Sequence, residues 1–410
     1  MSVMSAATPA VTATLRQDAT VISLVGFAHG TSHFFHFLVP PLFPMLMQEF
    51  GLTFTQVGLI MTVFFVVSGI GQALAGFVVD RFGGMRVLCG GVALLSVAGL
   101  AYSVAQSYAM LLGAAVIAGV GNCVFHPADY TIMNRRVSTA RLGHAFSVHG
   151  LSGSLGWAAA PVFVLAIAAW GGWRAACVGA SVVGALSLLF LIVNRKLLED
   201  AEGMPRGESA KRKGGSFAFL GVPVVWMCFA FFLISVMAFG GLQNFAPPLL
   251  ERTYGISFPI ATSALTAYLL GSAAGVGTGG FFAAKGERED FRIMVSLSCA
   301  AACSILLASG AVPAWTVVPL MGMMGFGVGF IGPSRDMLVR RAATATFGAG
   351  AFGRVYGFVY SGIDAGLALA PVVFGPFMDA GRFTAVLWGV ATLQVLAIGT
   401  ALAVGSRSRT

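Results

Sequence analysis

Charged side chains are scarce in this chain. Asp, Glu, Lys and Arg make up only 10% of its 410 residues, and 57% of the residues are hydrophobic. A soluble domain carries roughly 25% charged residues, so this composition indicates a membrane protein. Six cysteines are scattered through apolar segments without a Cys-x-x-Cys motif, which argues against disulfides and cysteine-type zinc sites.

Catalytic motifs are missing as well. The chain has no nucleophile motif, no glycine-rich phosphate loop and no sizeable polar domain. We therefore predict that it is not an enzyme and that it needs no cofactor.

Twelve apolar runs approach or exceed the ~20 residues that cross a bilayer. They lie at about 20–47, 55–79, 86–106, 108–134, 143–170, 173–194, 219–250, 258–283, 291–311, 314–342, 350–378 and 383–405. We predict an all-α membrane protein with twelve transmembrane helices in two six-helix halves. The predicted parts are a disordered cytoplasmic tail (1–18), the N-terminal half (19–194), a cytoplasmic linker (195–216), the C-terminal half (217–405) and a short cytoplasmic tail (406–410).

Basic residues set the predicted orientation. With the N-terminus inside, 20 of the 24 Lys and Arg residues fall on the cytoplasmic side, as the positive-inside rule requires. The expected location is the inner (cytoplasmic) membrane, in multi-pass form, with both termini cytoplasmic. This topology explains the net charge of +9, so we predict the lipid bilayer, and no nucleic acid, as a partner.

The two halves resemble each other in sequence. At an offset of 204, Pro44 and Gly71 match Pro248 and Gly275, and at 210 Gly156 matches Gly366. Corresponding spans run in the same direction, so the repeat is parallel. Two parallel halves can rock about a central site and open it to each side in turn, which favours a carrier over a channel.

A motif lies between spans two and three, where the sequence reads Gly76-Phe-Val-Val-Asp80-Arg81-Phe-Gly83-Gly-Met-Arg86. It resembles the cytoplasmic signature of the major facilitator superfamily, and the spans, linker and tandem halves fit that family over nearly the whole chain. The resemblance implies the major facilitator fold. We expect Asp80 to form a cytoplasmic gate with Arg81, Arg86 or a helix N-terminus, while Gly76 and Gly83 allow close packing and a tight turn. The alternative is that these are ordinary loop charges.

Two shorter windows, FGLTFTQVGLI (50–60) and GNCVFHPADY (121–130), resemble the fosmidomycin-resistance-like branch of that superfamily. The resemblance implies transport of small, often anionic, compounds.

A stripe of histidines runs along the first span. His29, His33 and His36 have the i, i+4, i+7 spacing that places them on one helix face. Ionisable residues inside a membrane segment mark functional sites, and imidazole can carry a proton, bind an anion when charged or ligate a metal when neutral. His144 and His149 are weaker candidates.

Span four repeats the stripe's spacing. Its candidate residues are Asn122, His126 and Asp129. Spans one and four both line the central cavity in the family that the motif resembles, which implies that the two polar faces meet.

The second half offers a different set of polar residues. The candidates are Arg335 and Asp336 in span ten, Tyr360 and Asp364 in span eleven, and Gln243 and Asn244 in span seven. Arg335 suits bidentate binding of a carboxylate or phosphonate, and pseudo-symmetry places it opposite Asp129. The alternative is a buried structural ion pair.

Metal binding is the competing interpretation of the histidines, because His29 and His33 have a spacing used in helical metal sites. No carboxylate or cysteine adjoins them in their own span, so no metal site is predicted, although Asp129 could reach them from span four. Packing roles for individual histidines stay open.

The sequence therefore predicts a monomeric secondary transporter of a small organic anion, coupled to protons, with export favoured over import. A proton-coupled importer of small carboxylates is the first alternative, and a non-transporting membrane receptor is the second.

Overall fold

A computed structural model describes residues 14–199, 221–283, 289–332 and 352–407. These residues form α-helices joined by short connections. The helices of the first half are α1 (Leu15–His36), α2 (Phe43–Phe50), α3 (Phe54–Phe82), α4 (Gly84–Ser103), α5 (Tyr108–Asn122), α6 (Phe125–Arg136) and α7 (Leu142–Val193). The remaining helices are α8 (Arg195–Leu198), α9 (Pro223–Tyr254), α10 (Phe258–Ala283), α11 (Glu289–Ala308), α12 (Val317–Phe330), α13 (Phe352–Asp379) and α14 (Phe383–Arg407).

The all-helical membrane architecture is confirmed. Nine helices of the described residues are long and apolar enough to cross a membrane. One of them, α7, contains both the fifth and the sixth predicted spans. Gly172, with a φ of +75°, interrupts the helix between the two spans. Span four consists of α5 and α6, and Pro127 lies in the first turn of α6, where a missing N–H costs little.

Helix pairing repeats between the halves. In the first half α1 and α4 both pack along α7, and in the second half α9 packs along α13 and α11 along α14. Contacts between the halves join α3 to α13 and α7 to α10. The internal sequence repeat therefore corresponds to a repeat in packing.

The predicted boundaries at the termini and linker differ from those of the helices. Within the predicted tail 1–18, Thr14 caps α1, which begins at Leu15. α14 extends to Arg407, beyond the predicted end of the last span at 405. The predicted linker, 195–216, begins with α8, and its residues from 200 onwards lie outside the described ranges, as do 1–13 and 408–410.

The contacts of Asp18 explain why the last residues of the predicted disordered tail belong to α1. Its carboxylate is fully buried and accepts hydrogen bonds from Ser138 Oγ at 2.6 Å and Arg141 Nε at 2.6 Å. Burial raises the pKa of Asp18, but the bonds from Ser138 and Arg141 and the charge of Arg141 outweigh it and hold the pKa below its usual value. This ion pair fixes the start of α1 against the α6–α7 connection.

Close glycine contacts fix α1 against the first part of α7. A Cβ atom on Gly156 would overlap the carbonyl oxygen of Gly30, and one on Gly30 would lie 3.0 Å from the carbonyl oxygen of Ser152. Small residues let helix backbones approach closely in membranes. The side chains that α1 and α7 turn toward each other are consequently forced into contact.

Hydrogen bonds join the halves at the end of the bundle that the sequence predicts to be extracellular. Asp379, at the end of α13, accepts hydrogen bonds from Phe54 N at 2.5 Å, Thr55 N at 3.1 Å and Thr55 Oγ1 at 2.5 Å. A carboxylate at a helix N-terminus also interacts favourably with the helix dipole. The described conformation is thus closed at this end.

Replacing Asp379 with Asn should favour conformations that are open at this end. Loss of the charge at the α3 N-terminus removes about 0.3–1 kcal/mol, a roughly two- to fivefold change in population. Pulsed electron paramagnetic resonance between spin labels at Gln106 and Ala311, in a cysteine-free background, should show the longer distance gaining amplitude. Thr55→Val removes only one of the bonds and should give a smaller change. An unaltered distance distribution in Asp379→Asn would contradict the role of these hydrogen bonds in holding this end closed.

Candidate functional site

Five of the six histidines meet in the interior of the first half. They are His29, His33 and His36 of α1, His126 of α6 and His149 of α7. The predicted meeting of spans one and four is therefore observed, and α7 adds a third wall. The sixth histidine, His144, is exposed.

Asp129 lies at the deepest point of this histidine cluster. Its carboxylate is fully buried, and Oδ2 is 3.0 Å from His149 Nε2 and 3.3 Å from His29 Nδ1. The contact with His149 is a hydrogen bond. The contact with His29 is within ion-pair distance, but its geometry is not that of a hydrogen bond. The rings of His29 and His149 are stacked with centroids 3.6 Å apart. One carboxylate oxygen is thus shared by two imidazoles.

The outer part of the cluster runs toward the end of α1. The ring of His33 stacks against two rings, that of His36 with centroids 4.8 Å apart and that of Trp157 with centroids 4.4 Å apart. Trp157 Nε1 donates to His36 Nδ1 at 3.2 Å. His33 Nδ1 is buried and has no hydrogen-bond partner among the described residues.

Asn122 ties α1 to α3 beside the cluster. Its Oδ1 accepts from Ser32 Oγ at 2.6 Å and lies 3.0 Å from His36 Nε2, while its Nδ2 donates to Ser68 Oγ at 2.9 Å. All four side chains are buried. Asn122 therefore orients His36.

A second polar link reaches the other half. Gln72 of α3 lies between His126, whose Nδ1 is 2.9 Å from Gln72 Oε1, and Asp364 of α13, whose Oδ2 accepts from Gln72 Nε2 at 3.3 Å. Gly69 permits this approach, because a Cβ there would lie 2.9 Å from the Cβ of Asp364. The cluster is connected through Gln72 to a carboxylate of the second half.

Gln243 and Asn244 lie on α9 and are both buried. Gln243 Nε2 donates to the carbonyl oxygen of His36 at 2.8 Å, and Asn244 Nδ2 donates to Gly240 O at 2.7 Å. Gln243 Oε1 and Asn244 Oδ1 have no partner among the described residues. Two buried acceptor atoms are thus without a partner among the described residues, and the predicted binding role of Gln243 and Asn244 stays a prediction.

Three further candidates of the second half are Tyr360, Arg335 and Asp336. Tyr360 packs against Phe232, with ring centroids 4.9 Å apart. Arg335 and Asp336 lie outside the described residues. Their predicted role opposite Asp129 stays a prediction.

The predicted cytoplasmic gate is described in part. Gly83 has a φ of +86° between α3 and α4, which confirms the tight turn, whereas a Cβ on Gly76 would meet nothing within 4 Å. Close packing of Gly76 is therefore not seen among the described residues, and its predicted role in the gate stays a prediction. Arg81 and Arg86 are exposed, and the side chain of Asp80 lies outside the described part of the chain.

Donor atoms in the cluster come close enough to be compared with a metal site. Those of His29, His33 and His126, and those of His29, Asp129 and His149, lie within 4.8 Å of one another. In the second set both imidazoles already direct a nitrogen toward Asp129 Oδ2. These nitrogen atoms already have a carboxylate oxygen beside them, and the prediction of no metal site stays a prediction.

Several members of the site carry a weak sequence signal or none. His149 shares its helix with His144 but not the i, i+4, i+7 spacing, Trp157 resembles an ordinary packing residue, and Gln72, Ser32 and Ser68 are uncharged polar residues in apolar spans. The identical i, i+4, i+7 spacing in spans one and four was the available signal. Contacts between helices decided the rest.

The arrangement matches known transporters. The family model described as Major Facilitator Superfamily matches residues 25–352. The chain belongs to the Major Facilitator Superfamily. It is a multi-pass membrane transporter of small solutes, and no enzyme activity is implied.

Relatives of this superfamily member support that assignment. The chain is 27% identical to an uncharacterized MFS-type transporter, YfnC, of Bacillus subtilis, over 96% of each chain. It is 29% identical to the fosmidomycin resistance protein of Escherichia coli over 38% of each. A bacterial homolog of the human lysosomal transporter Spinster, in an inward-facing and occupied conformation, has the same fold, with a TM-score of 0.72, 15% identity and 97% coverage of each chain.

Substituting Gly153 should disturb the cluster of this major facilitator protein. A Cβ there would lie 2.6 Å from His33 Nδ1 and 3.0 Å from His29 Nε2, and such overpacking costs about 1–3 kcal/mol. We expect Gly153→Ala to lower the melting temperature in detergent. Gly150→Ala, on the same helix with open space around it, should be neutral or gain up to about 1 kcal/mol. Equal melting temperatures for the two variants would contradict this packing.

Proposed function

We propose that this protein is a proton-coupled transporter that exports a small organic anion across the cytoplasmic membrane by alternating access. The observation that carries the proposal is the buried Asp129 carboxylate shared by His29 and His149. Ionisable groups are expensive inside a membrane and mark pathways for protons and substrates.

The cluster suits proton exchange because its members differ in accessibility. Asp129, His29 and His149 are buried, whereas His33 and His126 are half-buried. Imidazole gains and loses protons near neutral pH, and the half-buried rings give protons a route to the deeper carboxylate.

Contacts between the halves offer a way to link protonation to movement. Gln72 joins the His126 side to Asp364, and Gln243 binds the carbonyl oxygen of His36. Rocking of the halves must break or rearrange these hydrogen bonds. A change in charge at either side alters their strength, so the protonation state biases which conformation is populated.

An anion is favoured as substrate by charge. Five imidazoles surround one carboxylate, so proton uptake beyond the first leaves the cluster with positive charge that an anion can neutralise. Arg335 remains the proposed bidentate partner of a carboxylate or phosphonate. Buried Gln243 Oε1 and Asn244 Oδ1 can accept from hydroxyl or amine groups of the same solute.

Export is favoured by one relative's name. The fosmidomycin resistance protein shares 29% identity over 38% of each chain, and an exporter protects a cell by lowering the internal concentration of a compound. The first alternative, proton-coupled uptake of small carboxylates, would use the same residues with transport in the opposite direction.

Proteoliposomes with a trapped pH indicator test the proposal. A panel of small carboxylates, phosphonates and sulfonates is first screened for thermal stabilisation of the purified protein, because bound ligands stabilise by mass action. We expect a stabilising anion to cause proton flux in the wild type. Asp129→Asn should reduce this flux about tenfold or more, equivalent to ~1.4 kcal/mol, while stabilisation by the anion persists.

His144→Gln is the matched control, since it removes the exposed histidine outside the cluster and should leave proton flux unchanged. Wild-type flux in Asp129→Asn would refute the role of the cluster. Anion binding without any solute or proton movement would instead indicate a receptor.

A further inference from the structure

The hydrogen-bonded bridge His126–Gln72–Asp364 crosses the boundary between the two halves. His126 lies on α6, Gln72 on α3 and Asp364 on α13. The two contacts of the Gln72 amide are 2.9 Å and 3.3 Å long. All three side chains are half-buried, unlike Asp129 at the bottom of the cluster.

An amide group has a fixed polarity, with two donors on nitrogen and only acceptors on oxygen. Because Gln72 Nε2 donates to Asp364, Oε1 must face His126. Oε1 can only accept, so His126 carries a proton on Nδ1 in this arrangement. An ionised Asp364 therefore fixes the amide so that it favours the forms of His126 with a hydrogen on Nδ1, which are the imidazolium and one neutral tautomer.

The reverse arrangement is equally specific. A protonated Asp364 can donate to Oε1 only if the amide turns over, and Nε2 then faces His126. A donor opposite Nδ1 requires that nitrogen to be bare, so His126 must be neutral with its proton on Nε2. This orientation of the amide therefore excludes the imidazolium form of His126, whereas the observed orientation admits it.

We propose that Gln72 is a positioning residue that makes His126 and Asp364 alternate binding sites for a single transported proton; these two sites are called the seats below. The inference rests on the proposed proton coupling and names how the two halves share it. In the first state His126 is an imidazolium and Asp364 is ionised. In the second state His126 is neutral and Asp364 is a carboxylic acid.

The transfer between these states is balanced. The Nδ1–H bond of His126 breaks and an O–H bond forms on Asp364, so the number of bound protons and the summed charge of the pair stay the same. Water between the half-buried groups carries the proton, and the Gln72 amide rotates by half a turn. Net transport then requires one seat to load from one side of the membrane and the other seat to discharge to the opposite side.

Other titratable groups surround the two seats. His126 faces His29 of α1 and His149 of α7, and Asp129 and Tyr130 lie on the same helix as His126. Asp364 lies opposite Cys123, and Tyr360 is one turn away from Asp364 on α13. These neighbours act on the seats through space. Only Gln72 bonds to both seats among the described residues.

A double-mutant cycle tests the bridge on the full-length protein. Nuclear magnetic resonance of protein labelled with 15N only in histidine gives six ring systems, and His126→Gln assigns the signal of His126. In the wild-type background, we expect Asp364→Asn to lower the proton affinity of His126 about tenfold, one pH unit in its titration midpoint. In Gln72→Met, which keeps the length of the side chain without the amide, the same change should have little further effect.

Gln106→Met is the matched control, because Gln106 is exposed between α4 and α5. The effect of Asp364→Asn should be undiminished in it. If Gln72→Met fails to fold, Gln72→Asn keeps the amide on a side chain too short to reach both partners and should give the same loss of coupling.

Two outcomes separate this inference from the proposed function. An equal effect of Asp364→Asn with and without Gln72 would show that the seats interact only through space and would overturn the bridge, even if wild-type protein drives proton flux in the liposome assay. Absence of that flux in the wild type would overturn proton coupling itself. Loss of flux in Gln72→Met together with loss of the coupling supports both.

Discussion

The shared carboxylate of Asp129 is the constraint on which the first half depends. A charge placed in the apolar interior is tolerated only when it is paired and hydrogen-bonded, and its partners here come from α1 and α7. Three helices must therefore keep one rotational setting relative to each other. The absence of side chains at Gly30, Gly153 and Gly156 is what allows α1 and α7 to approach closely enough.

The two halves share packing but not chemistry. Gly156 packs against Gly30 of α1, and its sequence counterpart Gly366 packs in the same way against Leu233 of α9. At the offset of 204, however, His29 and His33 correspond to Leu233 and Met237. The repeat thus preserves close backbone contacts, while Asp129 and the five histidines of the cluster all lie in the first half. Asp364 of the second half faces the first half through Gln72.

The sequence was sufficient for the features that a single helix determines. Apolar length gave the spans, Gly171-Gly172 gave the break in α7, and the i, i+4, i+7 spacing gave the histidine face. Asp18 was assigned to a disordered tail because a lone acid before a span has no visible partner until Arg141 folds against it.

The contributions of His149 and Gln72 could not be derived from the sequence for a related reason. Neither belongs to the i, i+4, i+7 repetition that marks a face in spans one and four, and each acquires its role from side chains that lie on other helices. The same limit applies to Gly153, whose importance is visible only when the rings beside it are placed.

Stacking of His29 on His149 limits how many protons the deep part of the cluster can hold. Their rings lie 3.6 Å apart and approach the same oxygen of Asp129. Two imidazolium ions at that separation would repel strongly in a medium of low dielectric constant, and one carboxylate can neutralise only one of them. Under the proposed proton coupling, a further proton resides on an outer ring, where His33 and His126 are half-buried. Of these two, His126 bonds to the second half through Gln72, so the proposal places the proton that the deep pair does not accept where movement of the halves can act on it.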